Sequence, residues 1–415
     1  MRCAVIADDL TGASDTAVQF AKRGYLTPVL LEWQGGGLAM MPLVALDTES
    51  RHLSPEDAYA RVYDASSALR EAGFAVQYKK MDSTLRGNLG AELDGVLDAT
   101  GLQMAVVAPA FPANGRTTIG GYQHHHGTRL EQTAFAHDLL CPVLDSCVSR
   151  LVARQSRRRV GSVSLELVQA GAQALIAEFE GQRRAGIGVA VVDAETDEDL
   201  VAIARALERW PVPVLPAGSA GLAEFFAHRL PLRPMAASAT GRSSPGSILV
   251  VAGSTHPLTA AQIEALIAAG EAAAACVPAA TETPIREWPA AKTLILRLER
   301  TVDRPQADIS QGMVASLASQ ARKALECLPI QGLVLVGGDT ATAVLAALGA
   351  RGLAVEREVQ PGIPAGHLVG GTFAGTPVVT KAGGFGDESA LLAAAEYLRG
   401  EWDRSEAAGF RDNCF

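Results

Sequence analysis

"CAVIADDLTGASDTAVQFAKRG", residues 3–24, runs as a short apolar strand, sets Asp8 and Asp9 side by side at its end, and passes into a helical stretch that carries Asp15. A strand opening directly into a helix is the repeating unit of α/β proteins, and its carboxyl end is where such folds place ligands, phosphates often among them. Two acids would repel a phosphate. They suit instead a ligand that offers hydroxyl donors: a polyol, one of whose protons a carboxylate removes as the oxygen attacks a phosphoryl group. The plain structural alternative is that one acid caps the helix while the other pairs with a base.

Alternation of strand and helix continues outward from this stretch. Runs 3–7, 28–32, 43–47, 76–80, 104–108 and 188–193 are short, apolar and rich in Val, Ile and Leu, while 55–72, 88–99, 163–180 and 197–208 carry helical periodicity. "PLRPMAASATGRSSPGS", 231–247, interrupts the pattern and reads as an interdomain linker and hinge. Alternation resumes with "SILVVAG", "TLILRLE" and "GLVLVGG" and closes on a helix from about Glu388 to Leu398. The expected fold is α/β, with two domains, each a mainly parallel sheet flanked by helices, and an interdomain cleft. The boundaries read 1–232, a linker over 233–246, and 247–415.

Composition excludes several function classes. A chain of 415 residues exceeds one core, and its 48% hydrophobic content with only 5% aromatics fits a compact α/β enzyme. A net charge of −9, with no Lys/Arg stripe interleaved with aromatics, argues against nucleic acid as a partner. The basic run "RQSRRR" at 154–159 reads as a solvated face. Only Met1 and Arg2 precede the first strand, and no apolar run reaches the length of a membrane span. A cytoplasmic protein with no membrane partner is expected. The six cysteines show no CxxC pair or zinc spacing, which fits reduced thiols.

The second half carries the phosphate signals that the first lacks. "VVAGSTHPLTAAQIEAL", 250–266, places Gly253, Ser254 and Thr255 between strand and helix; "LVLVGGDTATAVLAAL", 333–348, places Gly337, Gly338, Asp339 and Thr340 there; "PVVTKAGGFGDESALLAAAEYL", 377–398, places Lys381, Gly383, Gly384 and Gly386. Glycine allows close backbone approach, so each turn can aim several N–H groups at one anion, assisted by the helix dipole. Three such turns on one sheet edge suit a polyphosphate nucleotide, with Lys381 as counter-charge. Neither GxxxxGK[ST] nor GxGxxG occurs. Asp339 serves either Mg²⁺ or the helix as N-cap, the cap being the default reading.

In the first half, "YKKMDSTLRGNLGAELDGVL", 78–97, crowds Lys79, Lys80, Asp82, Ser83, Thr84, Arg86 and Asn88 into a strand end and short loop. That mixture can grip a small anion and its hydroxyls together. Arg51, after "ALDTES", lies beyond another strand end and can fork to a carboxylate. A surface ion-pair network is the competing explanation.

The chain resembles the four-carbon acid sugar kinases. "IADDLTGASDTA", "YKKMDSTLRGN", "APAFPANGRTT", "GSAGLAE", "GGDTATAV" and "KAGGFGDE" look like that family's motifs, in its order, from residue 5 to about residue 400. The resemblance implies an N-terminal acid-sugar-binding domain, a C-terminal nucleotide-binding domain, and ATP- and Mg²⁺-dependent phosphorylation of the terminal hydroxyl of a tetronate. D-threonate is the first choice; D-erythronate, L-threonate and 3-oxo-tetronate are alternatives. On that resemblance Asp8, Asp9, Arg51, Lys80, Asp82, Ser83 and Arg86 face the substrate, with Asp8 or Asp9 as base. Ser254, the turn Gly337, Gly338, Asp339 and Thr340, Gly362, and the loop Lys381, Gly383 and Gly384 face ATP. Homo-oligomerisation is left open. One departure stands out: "QHHHGTRL" follows "GRTTIGGY", where the family pattern leads to expect an apolar pair. Consecutive histidines point in different directions and seldom share one ion, so an exposed loop is expected, bearing on stereochemistry if it borders the pocket. Two rivals remain: a nicotinamide enzyme, which lacks its glycine fingerprint here, and a non-catalytic two-domain sensor, which would have no use for three Gly-rich turns.

Overall fold

The computed structural model describes residues 2–34, 38–138, 141–230, 246–254, 256–270, 272–277, 291–298 and 311–400. The linker expected over 233–246 lies, apart from Gly246, outside the described residues. The chain divides into two compact units, Met1–Ser238 with Arg351–Arg357, and Ala239–Ala350 with Glu358–Phe415.

The first unit contains strands β1 (Cys3–Ala7), β2 (Thr27–Leu30), β3 (Leu43–Asp47), β4 (Val76–Lys80), β5 (Ala105–Ala108), β6 (Arg116–Ile119), β7 (Tyr122–His125), β8 (Thr128–Arg129), β9 (Val160–Val163), β10 (Val189–Val192) and β11 (Leu215–Gly218). Its helices are α1 (Leu10–Ala21), α2 (Pro55–Glu71), α3 (Leu89–Thr100), α4 (Val148–Gln155), α5 (Leu165–Gln169), α6 (Ala172–Arg184), α7 (Asp197–Arg209) and α8 (Ala220–Ala227). The main sheet has the order β2-β3-β1-β4-β11-β5-β10-β9 and is parallel throughout. Residues 352–355 add an antiparallel edge against β2, a return excursion with no signal in the sequence.

Strands buried on both faces explain why these segments read as continuous apolar runs. Ala4, Ile6, Val44, Leu46, Ala105, Val107, Val189 and Val191 alternate along their strands and share one core with Val62, Leu69, Leu93, Val96 and Val152 of α2, α3 and α4. The order reverses around β1: α1 carries the chain from β1 to β2, beyond β3, whereas α2 carries it back from β3 to β4 on the other side. Such a reversal opens a crevice at the carboxyl ends, where Asp8, Asp47 and Lys80 lie.

Two expectations are corrected. The helix expected over 163–180 is two helices, because Gly171 adopts φ 94° between α5 and α6. The histidine run is not an exposed loop: His124 and His125 are half-buried on β7, the central strand of an antiparallel β6-β7-β8 sheet, and only His126 is exposed.

The second unit contains β12 (Ser247–Ala252), β13 (Ala272–Val277), β14 (Thr293–Leu298), β15 (Ile330–Val336), β16 (Gly352–Gln360, which ends in this unit), β17 (Ile363–Val369) and β18 (Pro377–Lys381). Its helices are α9 (Pro257–Ala268), α10 (Gln311–Cys327), α11 (Gly338–Ala347) and α12 (Ala390–Arg399). The order β13-β14-β12-β15-β18 is parallel, and β17 closes it antiparallel to β18. Ile248, Val250, Val334, Val336 and Val379 form its core with Ile263, Leu266, Leu391 and Leu398. The carboxyl ends of β12, β15 and β18 are therefore neighbours.

Candidate active site

In the first unit, β1 ends at Ala7, and Asp8 and Asp9 follow at the turn into α1. Asp9 is the N-cap, accepting from the Gly12 N–H at 2.8 Å. Arg51 reaches both acids: Nε donates to Asp8 Oδ2 and Nη1 to Asp9 Oδ2, each at 2.7 Å. The backbone fixes this fork, since the Ser50 and Arg51 N–H groups both donate to the Asp8 carbonyl. Both structural roles weighed from the sequence, capping and pairing, are thus present, yet Asp8 Oδ1 is buried with no hydrogen-bond partner in the protein.

Lys79 and Lys80 point opposite ways from β4, as strand neighbours must. Lys79 forms a buried ion pair with Glu92 at 2.8 Å. Lys80 Nζ lies 3.7 Å from Asp15 Oδ1 and packs against Gly12, where a Cβ would stand 2.8 Å from it. Asp82 holds the next loop together, accepting from Thr84 Oγ1 and from Arg86 Nε, both at 2.6 Å; Arg86 Nη1 reaches Asp138 at 3.3 Å. Ser83 is buried beside it. The cluster is a network of ion pairs, as the competing explanation has it, but a largely buried one rather than one on the surface.

Electrostatics divides these acids. Burial pushes the Asp8 carboxyl up, but Arg51, with Lys79 and Lys80, outweighs it and holds the group below its ordinary value. Asp82 lies well below the usual range because Arg86, Arg51 and Lys80 overcome the same burial. Asp15, buried, is pushed up to about 7 by loss of solvent, which outweighs the opposing charge of Lys80, and the charges of Asp9 and Asp82 add to the effect. Asp47, at the end of β3, is raised well above the carboxylate range by burial, and its Oδ2 also has no hydrogen-bond partner in the protein.

Sequence reasoning left out Asp15, Asp47 and Arg116 from the site residues. Arg116, on β6, is buried, with Asp82, Arg86 and Asp15 as its nearest charges, and burial lowers it to about 10. Asp47 had a signal as an acid closing an apolar strand, and Asp15 as an acid on the helix that follows Asp8 and Asp9. Arg116 had only its place in "GRTT".

In the second unit the strand ends converge. A Cβ at Gly253 would meet Thr340 Oγ1, one at Gly337 would stand 3.6 Å from the Ser254 N, and one at Gly383 would strike Ser254 Oγ. Ser254, Gly337, Thr340 and Gly383 are thus brought together. Gly337 is the N-cap of α11 at φ 105° and provides no side-chain cap, so Asp339 is not the cap; it stands exposed in the first helical turn beside Gly338. Lys381 is buried. Its ammonium donates to the carbonyls of Ala382, Gly383 and Phe385 at 2.9, 3.1 and 2.9 Å, clasping the loop that follows it. Burial lowers it to about 7. From α9, Thr259 Oγ1 donates to the Gly383 carbonyl and Gln262 Nε2 to those of Phe385 and Asp387. The His256 ring lies 3.2 Å from where a Cβ of Gly384 would be. Gly362 stands apart in the β16–β17 turn, donating to Glu358; that hairpin reaches the loop through Gln360 and Asp387.

A family described as the sugar-binding N-terminal domain matches residues 3–226, and one described as the nucleotide-binding C-terminal domain matches residues 249–391. The chain is 36% identical to a D-threonate kinase of Salmonella typhimurium over 96% of its length and 98% of the relative's. The chain belongs to the four-carbon acid sugar kinase family. Other members include a D-erythronate kinase of Heliobacterium modesticaldum, 33% identical over 95% of this chain and 96% of its own. A solved structure from Salmonella typhimurium LT2 superposes with a TM-score of 0.76 at 23% identity, covering 95% of this chain and 98% of that one, which supports the fold. Within this family the chain is a sugar-acid kinase. Among the described residues no helix is long and apolar enough to cross a membrane.

Proposed function

We propose that this kinase phosphorylates the terminal hydroxyl of D-threonate, with ATP as donor, residues 1–232 taking the acid and 247–415 the nucleotide. The observation that carries the sugar-acid half is the pair of buried carboxylate oxygens, Asp8 Oδ1 and Asp47 Oδ2, with no donor in the protein. Both stand at adjacent strand ends; Asp8 has the cations Arg51 and Lys80 close, and Asp47 has Asp8 and Asp9 as charged neighbours. Acceptors there suit hydroxyls, and the cations suit a carboxylate.

Ser254, the amides at Gly337 to Thr340, and the Gly383–Gly384 loop suit the phosphates of ATP, which supplies the γ-phosphoryl group. The cradle a Cβ at Gly383 would fill and the α11 terminus with no side-chain cap both fit such a ligand. Asp339, in the first turn of α11, would hold a phosphate-bound Mg²⁺, an ion that needs only one or two protein carboxylates. Gly362 would act only through its hairpin. Lys381 supports the loop and adds charge.

For transfer, the terminal hydroxyl loses its proton as its oxygen bonds to phosphorus and the bond to the ADP oxygen breaks. Asp8 or Asp9 is the acceptor proposed from the sequence, and Asp8 has the oxygen to accept. Asp15 has the better-matched proton affinity near neutrality. A rate profile separates them: an acid limb near pH 7, with turnover lost in Asp15→Asn, assigns Asp15, whereas a profile without a limb near pH 7 that Asp15→Asn leaves in place assigns Asp8, which is held below its ordinary value.

ADP release over D-threonate, D-erythronate, L-threonate and 3-oxo-tetronate, with Mg-ATP, tests the whole reading. D-threonate should give the highest kcat/KM, and Asp8→Asn should abolish it. Turnover highest on another tetronate would replace D-threonate, and no turnover with any would favour the sensor alternative.

A further inference from the structure

The histidine run that departs from the family pattern lies on a strand whose inner face reaches the sugar-acid site. Arg116 of β6 and His125 of β7 are direct partners across the antiparallel ladder, as are Thr118 and Gln123. Opposed residues in such a ladder share a face, with Cβ atoms about 4.5–5.5 Å apart. The Thr118–Gln123 pair shows which face: Thr118 Oγ1 donates to Gln123 Oε1 at 2.6 Å, and Gln123 Nε2 donates to the Ser83 carbonyl at 2.8 Å and the Pro109 carbonyl at 3.3 Å. His125 is two residues beyond Gln123, so it stands on the same side, beside buried Arg116. Its ring is set edge-on against Phe135 at 5.4 Å and lies 4.4 Å from His126. It remains half-buried rather than sealed.

Resting on the kinase reading above, we propose that His125 is a specificity-determining residue of the sugar-acid site, reading the secondary oxygens of the tetronate. An imidazole both donates and accepts, so it distinguishes a hydroxyl by its direction, and a hydroxyl from a carbonyl. An apolar side chain at this position would do neither. His124 alternates to the opposite face and has no such role.

The test uses the full chain and compares kcat/KM for D-threonate with that for D-erythronate, its epimer at the carbon next to the carboxylate. His125→Leu should change this ratio by about three- to tenfold, the scale of one neutral hydrogen bond, chiefly through KM. His125→Gln, which keeps a donor and an acceptor, should lie nearer the parent, and His124→Leu should leave the ratio unchanged. A ratio within about twofold of the parent in His125→Leu, or an equal change in His124→Leu, overturns the proposal. If the leucine variant does not fold, the same thresholds apply to His125→Ala. Thermal shift with each acid is read alongside turnover. A parent that binds tetronates without turning them over fails the kinase reading while the binding ratio still tests His125; a parent that binds neither acid overturns both.

Discussion

The two units present the same architectural feature, the carboxyl ends of neighbouring parallel strands, in different chemical form. In the first, side chains follow the strands: Asp8 and Asp9 after β1, Asp47 closing β3, Lys79 and Lys80 closing β4. In the second, bare backbone follows them: Gly253 after β12, Gly337 after β15, Gly383 after β18. The first unit consequently has buried ion pairs and carboxylates of very different acidity. The second has backbone donors gathered around Ser254 and Thr340. The comparison teaches that the chemical difference between the units lies in the residues at and just past the strand ends, because the sheet behind them is apolar in both.

The strongest way to break this comparison is Arg51→Met. It removes the partner of two acids at once, leaving Asp8 buried beside Asp9 without its guanidinium. Loss of one partner from a buried pair costs about 3–5 kcal/mol. Denaturant unfolding should show a loss of that size, and turnover should vanish. A loss under about 1 kcal/mol would mean that the acids are solvated and that the first unit is less sharply charged than described.

Next in size is Gly337→Ala, which addresses the backbone half. A φ of 105° suits glycine, and forcing an alanine there costs about 1–3 kcal/mol or moves the amide out of place. ATP affinity, measured by calorimetry, should fall at least about tenfold while the thermal shift given by D-threonate stays as in the parent. Equal loss of both ligands would erase the division of labour.

The α/β alternation and the Gly-rich turns were legible in the sequence because they are local: apolar runs, a Gly at a strand end, and an amphipathic helix all fall within one short window. Asp8, Asp9 and Arg51 could be identified as candidates, but not the fork that joins them, since Arg51 is 43 positions from Asp8 and meets it only through β1–β3 register. Lys381 shows the same limit from the other side. A lysine beside three glycines suggests a counter-charge for phosphate, whereas the fold turns its ammonium onto three carbonyls of its own loop. The histidine run misled because three identical polar residues carry no alternation, and the strand was defined by its partners Arg116 and Thr117.

Acidity sharpens the comparison further. Asp15 in the first unit and Lys381 in the second are both displaced to about 7, from 3.8 and 10.5 respectively, by the same loss of solvent. Their effects on stability fall in different pH windows. Between pH 3.8 and about 7 the folded chain retains a proton on Asp15 that the unfolded chain has released, so this group makes stability fall as pH rises. Between about 7 and 10.5 the folded chain lacks a proton on Lys381 that the unfolded chain holds, so this group makes stability rise. In unfolding midpoints measured across pH, Asp15→Asn should flatten the lower window and Lys381→Met the upper. An unchanged slope in either variant would remove that group from the account.

The smallest effect is expected outside both sites, at the basic run 154–159. Arg157 is 68% exposed and contacts Asp98 at 2.7 Å, with its cation 4.9 Å from the centre of the Tyr59 ring. Asp94, buried in α3, has the Arg157 Nε at 3.6 Å but keeps three closer partners without it: it accepts from Ser156 Oγ at 2.7 Å, the Arg157 N–H at 2.8 Å and Arg158 Nη1 at 3.0 Å. Arg157→Ala therefore keeps the buried acid satisfied and should shift stability by no more than about 0.5 kcal/mol, as exposed pairs do. Set beside Arg51→Met, it isolates burial as the variable, since both changes remove an arginine that contacts two or more groups. A loss at Arg157 comparable to that at Arg51 would show that the number of contacts, rather than their separation from water, decides the energetics of this chain.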